Sequence, residues 1–303
     1  MAAVGLLGRL RERVTETVRR RVSPIVARSL EGEDLLGNPF ISGKLVPLAR
    51  AETRNGRPYH VLTTARWPET EIAEDSLPVP PFDLRAGWDE GFLSYGDRDV
   101  SVMARIVTEA GVDVHSVGRL LDFGCAAARM LRFCPRYFEQ AECWGVDLKG
   151  EHIEWNQRFL SPPFLFAATT SLPHLPFEDG LFDLVYCGSV FTHIGDLADA
   201  WFLELRRVLR PGGHLYLTIH DEHSIEVLLR DYPDRDVTKA LRNLDEETSV
   251  VTAPYYSFSV NIEPRAEIFY NCDLLVERWG RFATLRSVTR EAMDYQTALL
   301  FRK

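Results

Sequence analysis

The chain has 303 residues, 46% hydrophobic and 26% charged, which is enough to bury one large core with room for an extension. Its formal net charge of -9 excludes a partner held by phosphate neutralisation, so no nucleic acid is expected. The five cysteines Cys125, Cys134, Cys143, Cys187 and Cys272 contain no C-x-x-C pair, and reduced, buried thiols are expected. No apolar run reaches the ~20 residues that span a bilayer, and Arg9, Arg11 and Arg13 break up any signal-peptide core, so the expected location is cytoplasmic.

At the N-terminus Leu6, Leu10, Val14, Val18 and Val22 form one helical stripe. Six arginines against two glutamates between Arg9 and Arg21 make its other face basic. Such a helix packs on its own domain or a partner, or lies on an anionic membrane surface. From Gly37 to Pro81 the signals are mixed, with Asn55-Gly56 as a turn pair and prolines at 78, 80 and 81. Residues 1–87 therefore divide off as an amphipathic helix and a wrapping linker, and residues 88–303 as the main domain.

In that domain the spacing predicts a helix over Val100–Ala110, ended by Gly111. Strands are predicted at Arg119–Phe123, Glu142–Asp147, Phe164–Ala167, Leu181–Cys187 and His214–His220. Helices are predicted at Met130–Phe138, Glu151–Phe159 and Leu197–Leu209. This alternation makes an α/β fold with a Rossmann-like, mostly parallel sheet. "RFATLRSV" and "YQTALLF" add an antiparallel C-terminal hairpin, for seven strands in all. An aromatic-rich insert, about 224–271, separates the hairpin from the fifth strand.

In such sheets ligands bind beyond the carboxyl ends of the strands where strand order reverses. The first strand leaves through "LLDFGCAAARML", which places Asp122, Gly124 and the residues up to Arg129 against a ligand. Asp147 ends the second strand, where an acid accepts hydrogen bonds from a ribose diol; it could instead cap the helix starting near Glu151. "LPHLPFEDGLFDLVYCGSVFTHI" and "LRRVLRPGGHLYLTIH" follow in order. Together these segments resemble the class I S-adenosylmethionine-dependent methyltransferases, particularly the broad group acting on small molecules, sugars and lipids, over roughly Trp88 to Lys303. In "LRPGG", Pro211 is expected to stop the helix, and Gly212 and Gly213 to adopt positive φ.

The resemblance implies S-adenosyl-L-methionine as cofactor. Asp122, Gly124 and Ala126 would hold its methionyl end, with Ser189 close by, and Asp147 its ribose. Leu148 would pack on the adenine, with Ser171 and Leu172 along the adenine edge, Ser171 standing where the family often has an acid. The family pattern in the first loop is close to Asp-x-Gly-Cys-Gly-x-Gly, and this chain has Ala126 and Ala128 at the second and third glycines. If those positions are left-handed, each alanine costs on the order of 1 kcal/mol, which weakens a site without abolishing it.

Methyl transfer to a neutral hydroxyl needs a base, and His193 and His220 follow the fourth and fifth strands. Either could equally be a capping residue. "HDEH" offers His220 and His223, three apart in a segment not expected to be helical, so no metal is expected. Tyr255, Tyr256 and Tyr270 of the insert, with Tyr95 near the junction, are candidates for the acceptor pocket. The expected activity is O-methylation of a small-molecule, sugar or lipid-linked acceptor. A non-catalytic methyltransferase-like scaffold is the alternative, and a nicotinamide dehydrogenase ranks last because Gly124 alone hardly suits a pyrophosphate loop.

Overall fold

A computed structural model of the chain describes residues 77–85, 91–250, 254–262 and 265–303, and two N-terminal strands as backbone. Those strands, β1 (Leu48–Arg54) and β2 (Arg57–Leu62), pair antiparallel where the sequence suggested a linker. The amphipathic helix expected before them and the Asn55-Gly56 turn lie outside the described residues.

The main domain opens with helix α1 (Phe92–Glu109), which starts eight residues before the predicted Val100. Gly96 lies within the added turns. A Cβ there would stand 2.2 Å from the carbonyl oxygen of Arg129 and 2.9 Å from the Phe133 ring, so glycine lets α1 lie directly on the chain after the first loop. Strand β3 (Arg119–Phe123) follows, buried from Leu120 onward. The predicted helix over Met130–Phe138 is instead a 3-10 turn at Leu131–Phe133 and a single turn α2 (Cys134–Tyr137). Pro135 sits at the start of that turn, where its missing donor is tolerated, and it cannot continue a helix begun upstream.

Then come β4 (Glu142–Asp147), α3 (Gly150–Phe159), β5 (Leu165–Ala168), β6 (Phe182–Cys187), α4 (Ala198–Val208) and β7 (Leu209–Ile219), all within a few residues of prediction except the early start of β7. "LRPGG" forms the bulged start of β7, shifting register opposite Phe182 and Leu184. Gly212 has φ +79°, as expected. Gly213 does not take positive φ; its role is space, because a Cβ would meet the carbonyls of Arg210 and Asp183 at 3.0 Å.

The insert holds α5 (Glu222–Asp231), α6 (Asp236–Thr248) and the antiparallel pair β8 (Ser257–Ile262) and β9 (Arg265–Tyr270). His223 thus lies on a helix, contrary to the sequence expectation, because Asp221 and Ser224 form a reciprocal capping box that starts α5. Helix α7 (Cys272–Trp279) leads to the hairpin β10 (Thr284–Met293) and β11 (Gln296–Arg302).

The seven-stranded sheet has the order β10-β11-β7-β6-β3-β4-β5, with β11 antiparallel to both of its neighbours, β10 and β7, and the remaining pairs parallel. The chain runs outward from β3 through β4 and β5, then crosses to β6 on the other side of β3, so the switch point lies between β3 and β6. Helices α1 and α3 cover one face around Val100, Met103, Leu131 and Trp155. The other face is covered by α4 and α7 around Trp201, Phe202 and Trp279. A third cluster, Leu228, Leu241, Val260 and Phe269, belongs to the insert and reaches Tyr295 of the hairpin turn. Four cysteines are buried, Cys272 is half-buried, and all five are free thiols.

Candidate functional site

The loop leaving β3 decides whether a ligand fits at the switch point. Gly124, Ala126 and Ala128 all have positive φ, +82°, +45° and +59°. The alternating left-handed conformation that glycine favours is therefore kept with alanine at two of three positions. Such strain persists only when its surroundings over-determine it, and Ala126 is clamped on both sides. Its N–H donates to Asp147 Oδ2 (2.8 Å), and its carbonyl accepts from Asn156 Nδ2 (2.7 Å). Gly124 and Cys125 donate together to the Val146 carbonyl, tying the loop to β4.

Relief of this strain is measurable. Ala126→Gly is expected to stabilise the protein by about 0.5–1 kcal/mol, the left-handed penalty less the extra freedom glycine gives the unfolded chain. Ala128 has 0% exposure, so Ala128→Gly also loses a buried methyl worth about 1 kcal/mol and should show no gain. Urea midpoints of the two variants check this; equal shifts would mean that the buried methyl of Ala128 does not separate them.

Two buried acids face each other across the loop. Asp147 closes β4, with Oδ1 accepting from Lys149 N (2.7 Å) and Oδ2 from Ala126 N. A carboxylate has about four lone-pair sites, so each oxygen keeps one for a diol. Asp147 does not cap α3, whose cap position is Lys149. Asp122, on β3, accepts from the Tyr186 hydroxyl at 2.7 Å. Burial pushes its carboxyl up to about 7, and the charge of Asp147 adds to this; Tyr186 and the Arg129 guanidinium pull the other way without prevailing.

At the tip of β6, Ser189 has φ +58° and joins a closed polar ring. Its N–H donates to Thr218 Oγ1 (2.7 Å), Thr218 Oγ1 to Gln296 Oε1 (2.6 Å), and Gln296 Nε2 to Ser189 Oγ (2.9 Å). β6, β7 and β11 are thereby locked at one end. Beside Asp147, Leu148 is half-buried; Ser171 is half-buried and Leu172 is 65% exposed in the segment after β5. Arg129 Nη1 bonds Asp99 on α1 at 2.7 Å. Buried Arg132 donates to the carbonyls of Leu77 and Pro78, binding the N-terminal segment to this side of the domain.

The histidines lie beyond β6 and β7, under the insert. His193 ends a 3-10 turn (Phe191–His193) and keeps about a third of its side chain exposed. His220 is 1% exposed, between the rings of Phe269 and Tyr295. The candidate pocket tyrosines are dispersed. Tyr95 is exposed on α1 under Arg98. Tyr255 is half-buried against Phe258 with its hydroxyl buried and without a hydrogen-bond partner. Tyr256 bonds Asp199, and buried Tyr270 donates to the carbonyls of Phe191 and Ile194, pinning the His193 turn. Tyr270 thus has its hydroxyl occupied by scaffold contacts.

Tyr186, Thr218 and Gln296 escaped the sequence reading. Their signal was a polar atom near the end of an otherwise apolar strand, in "FDLVYC", "YLTIH" and "QTALLF". Glu267, on β9, escaped it altogether.

A Rossmann-like sheet with two buried carboxylates flanking a left-handed loop at its switch point defines a site for a nucleoside-bearing cofactor. The family model described as a methyltransferase domain matches residues 121–217, the segment carrying both acids, the loop and Ser189, with Thr218 and Gln296 of its ring lying beyond the match. Over that segment, which is less than half of the chain, the sequence is that of a methyltransferase domain.

The chain is 33% identical over 122 residues to an uncharacterized 37.1 kDa protein in a transposon of Streptomyces fradiae, covering 40% of this chain and 34% of that one. It is 28% identical over 128 residues to an uncharacterized methyltransferase of Schizosaccharomyces pombe (39% and 46% covered). Identity to a fatty-acid O-methyltransferase of Mycolicibacterium smegmatis is 32% over 111 residues (37% and 40%). The matches thus span less than half the length of each of these relatives. Among solved structures, a SAM-dependent methyltransferase from Aquifex aeolicus superposes with TM-score 0.45 at 15% identity, covering 71% of this chain and 93% of that one.

Proposed function

We infer that this chain transfers a methyl group from S-adenosyl-L-methionine to the oxygen of a small-molecule, sugar or lipid-linked acceptor. The observation that carries the reading is the loop of Gly124, Ala126 and Ala128, which keeps a glycine-like backbone with Ala126 clamped onto Asp147. A strained conformation held by a buried acid and Asn156 is what a maintained site requires.

The residues fit the cofactor's groups. The free lone pairs of Asp147 suit the ribose diol, Asp122 suits the methionyl ammonium, and Gly124 and Ser189 flank that end. Exposed Leu172, with Leu148 and Ser171, offers an apolar edge for the adenine. When bound, the cofactor supplies a methyl already activated on a sulfonium. The protein then aligns the acceptor and excludes water. His193, the more exposed of the two histidines, is the base assigned to the acceptor's hydroxyl.

The test is release of S-adenosylhomocysteine from S-adenosyl-L-methionine with a set of alcohols, phenols, glycosides and fatty acids as acceptors. Acceptor-dependent release that falls by about 10²-fold or more in His193→Ala supports the reading. Tight cofactor binding with no turnover on any acceptor class would favour the non-catalytic scaffold.

A further inference from the structure

The insert brings a carboxylate to the two histidines. Glu267, on β9, is 5% exposed, and its Oε2 stands 3.7 Å from Nδ1 of His193 and 3.7 Å from Nδ1 of His220. The residue before it contributes too. The Ala266 carbonyl oxygen lies 3.0 Å from the same His193 Nδ1. A carbonyl oxygen can only accept, so His193 Nδ1 carries the hydrogen and Nε2 is left with the lone pair.

The two histidines are not equivalent. His220 is enclosed by Phe269 and Tyr295, and its backbone carbonyl accepts from Tyr270 N, which anchors β9 to the end of β7. Tyr270 also holds the His193 turn through the carbonyls of Phe191 and Ile194. One short strand therefore fixes the turn that bears His193, its tautomer and the charge beside it. Besides Glu267, the ionisable groups on the elements around His193 include His220 at the end of β7, Arg265 and Tyr270 on β9, and Asp196 and Asp199 at the start of α4.

We propose that Glu267 is a positioning residue: beside the Ala266 carbonyl that holds His193 as the Nδ1–H tautomer, its carboxylate stabilises the imidazolium formed when Nε2 removes a proton from a neutral hydroxyl acceptor. This rests on the methyltransferase reading above and narrows its acceptor class. The acceptor oxygen forms its bond to the methyl carbon as the hydroxyl proton passes to His193 Nε2. The carbon–sulfur bond breaks with its electron pair on sulfur, and His193 later returns the proton to solvent. An already ionised carboxylate, such as a fatty acid at neutral pH, has no proton to give up and would meet the Glu267 charge as a repulsion. The arrangement therefore selects alcohols or phenols over carboxylates.

The imidazole nitrogens can be read directly by ¹⁵N–¹H correlation NMR of the full chain, with His193→Gln to assign the signal and no acceptor needed. The expected result is a neutral His193 with hydrogen on Nδ1, and a titration midpoint that moves to lower pH in Glu267→Gln. In turnover, Glu267→Gln should lower kcat by about 10–100-fold and move the acid limb of its pH profile to lower pH, with the KM for S-adenosyl-L-methionine unchanged and Glu267→Asp partly restoring the rate. A wild-type Nε2–H tautomer, or a midpoint unmoved in Glu267→Gln, would overturn the proposal. Calorimetry with S-adenosyl-L-methionine separates the two failures, since a chain that binds no cofactor defeats the methyltransferase reading whatever the histidine signals show.

Discussion

Asp122→Asn is expected to make the protein more stable at pH 8 and worse at holding its cofactor. In the folded chain burial raises the Asp122 carboxyl to about 7, against an ordinary value of 3.8. The folded state thus keeps a proton across a pH window in which the unfolded chain has lost it. Stability falls as pH rises through that window, from about 4 to about 7, and is flat above it. At pH 8 the charged, buried carboxylate is a standing penalty on the order of 2–4 kcal/mol, which asparagine removes while still accepting from the Tyr186 hydroxyl. The melting temperature should rise by roughly 5–10 °C at pH 8 and change little at pH 4.5.

The opposite sign is expected for binding. The proposed partner of Asp122, the methionyl ammonium, stabilises the ionised form, so cofactor binding should release a proton below pH 7 and tighten as pH rises from 6 to 8. Asparagine should abolish that dependence and weaken binding by at least tenfold, the loss of a charge-assisted hydrogen bond worth about 1.5–3 kcal/mol. Melting curves and calorimetry at three pH values test both halves. A variant that is less stable at pH 8, or one that binds with unchanged pH dependence, would contradict this role for Asp122. The expected exchange of stability for function marks a site kept strained by selection.

Gly96→Ala should be among the most damaging single-methyl additions in the main domain. The new Cβ would lie 2.2 Å from a backbone carbonyl, that of Arg129, which has no flexible end to swing away. The helix α1 or the first loop must move, at a cost of about 3 kcal/mol or more. Helix propensity favours alanine over glycine by about 1 kcal/mol, so a loss of stability would isolate the packing effect. Because the displaced turn carries Arg129 and its bond to Asp99, cofactor affinity should fall along with stability. Chemical denaturation measures the first effect; a stability equal to or above that of the wild type would show that α1 does not bear on the loop.

Strands β3 and β4 were legible to the residue because both begin at a charged residue, Arg119 or Glu142, and carry an acid at or next to the end of an apolar run. The two acids beside the first loop, Asp122 and Asp147, stood out for the same reason, since a charged residue near the end of a buried strand has few structural uses. The turn at Met130–Phe138 was misread because its apolar spacing is helical although Pro135 breaks the hydrogen-bond ladder. Glu267 was invisible for a different reason. It lies 47 residues beyond His220, in "RAEIFY", where nothing local separates a buried carboxylate from a surface one. Only the pairing of β9 beneath the end of β7 brings it to the histidines. Likewise the left-handed backbone at Ala126 and Ala128 contradicts residue propensity, and at Ala126 tertiary clamps to Asp147 and Asn156 override it.

The central claim is a working cofactor site, and calorimetric titration of the full chain with S-adenosyl-L-methionine and S-adenosylhomocysteine, beside Asp147→Ala, tests it most directly. The account predicts micromolar binding of both ligands and a loss of about 10²-fold or more in the variant, with its fold verified by circular dichroism. A folded wild-type chain that binds neither ligand, or an Asp147→Ala variant that binds as tightly as the wild type, would contradict it.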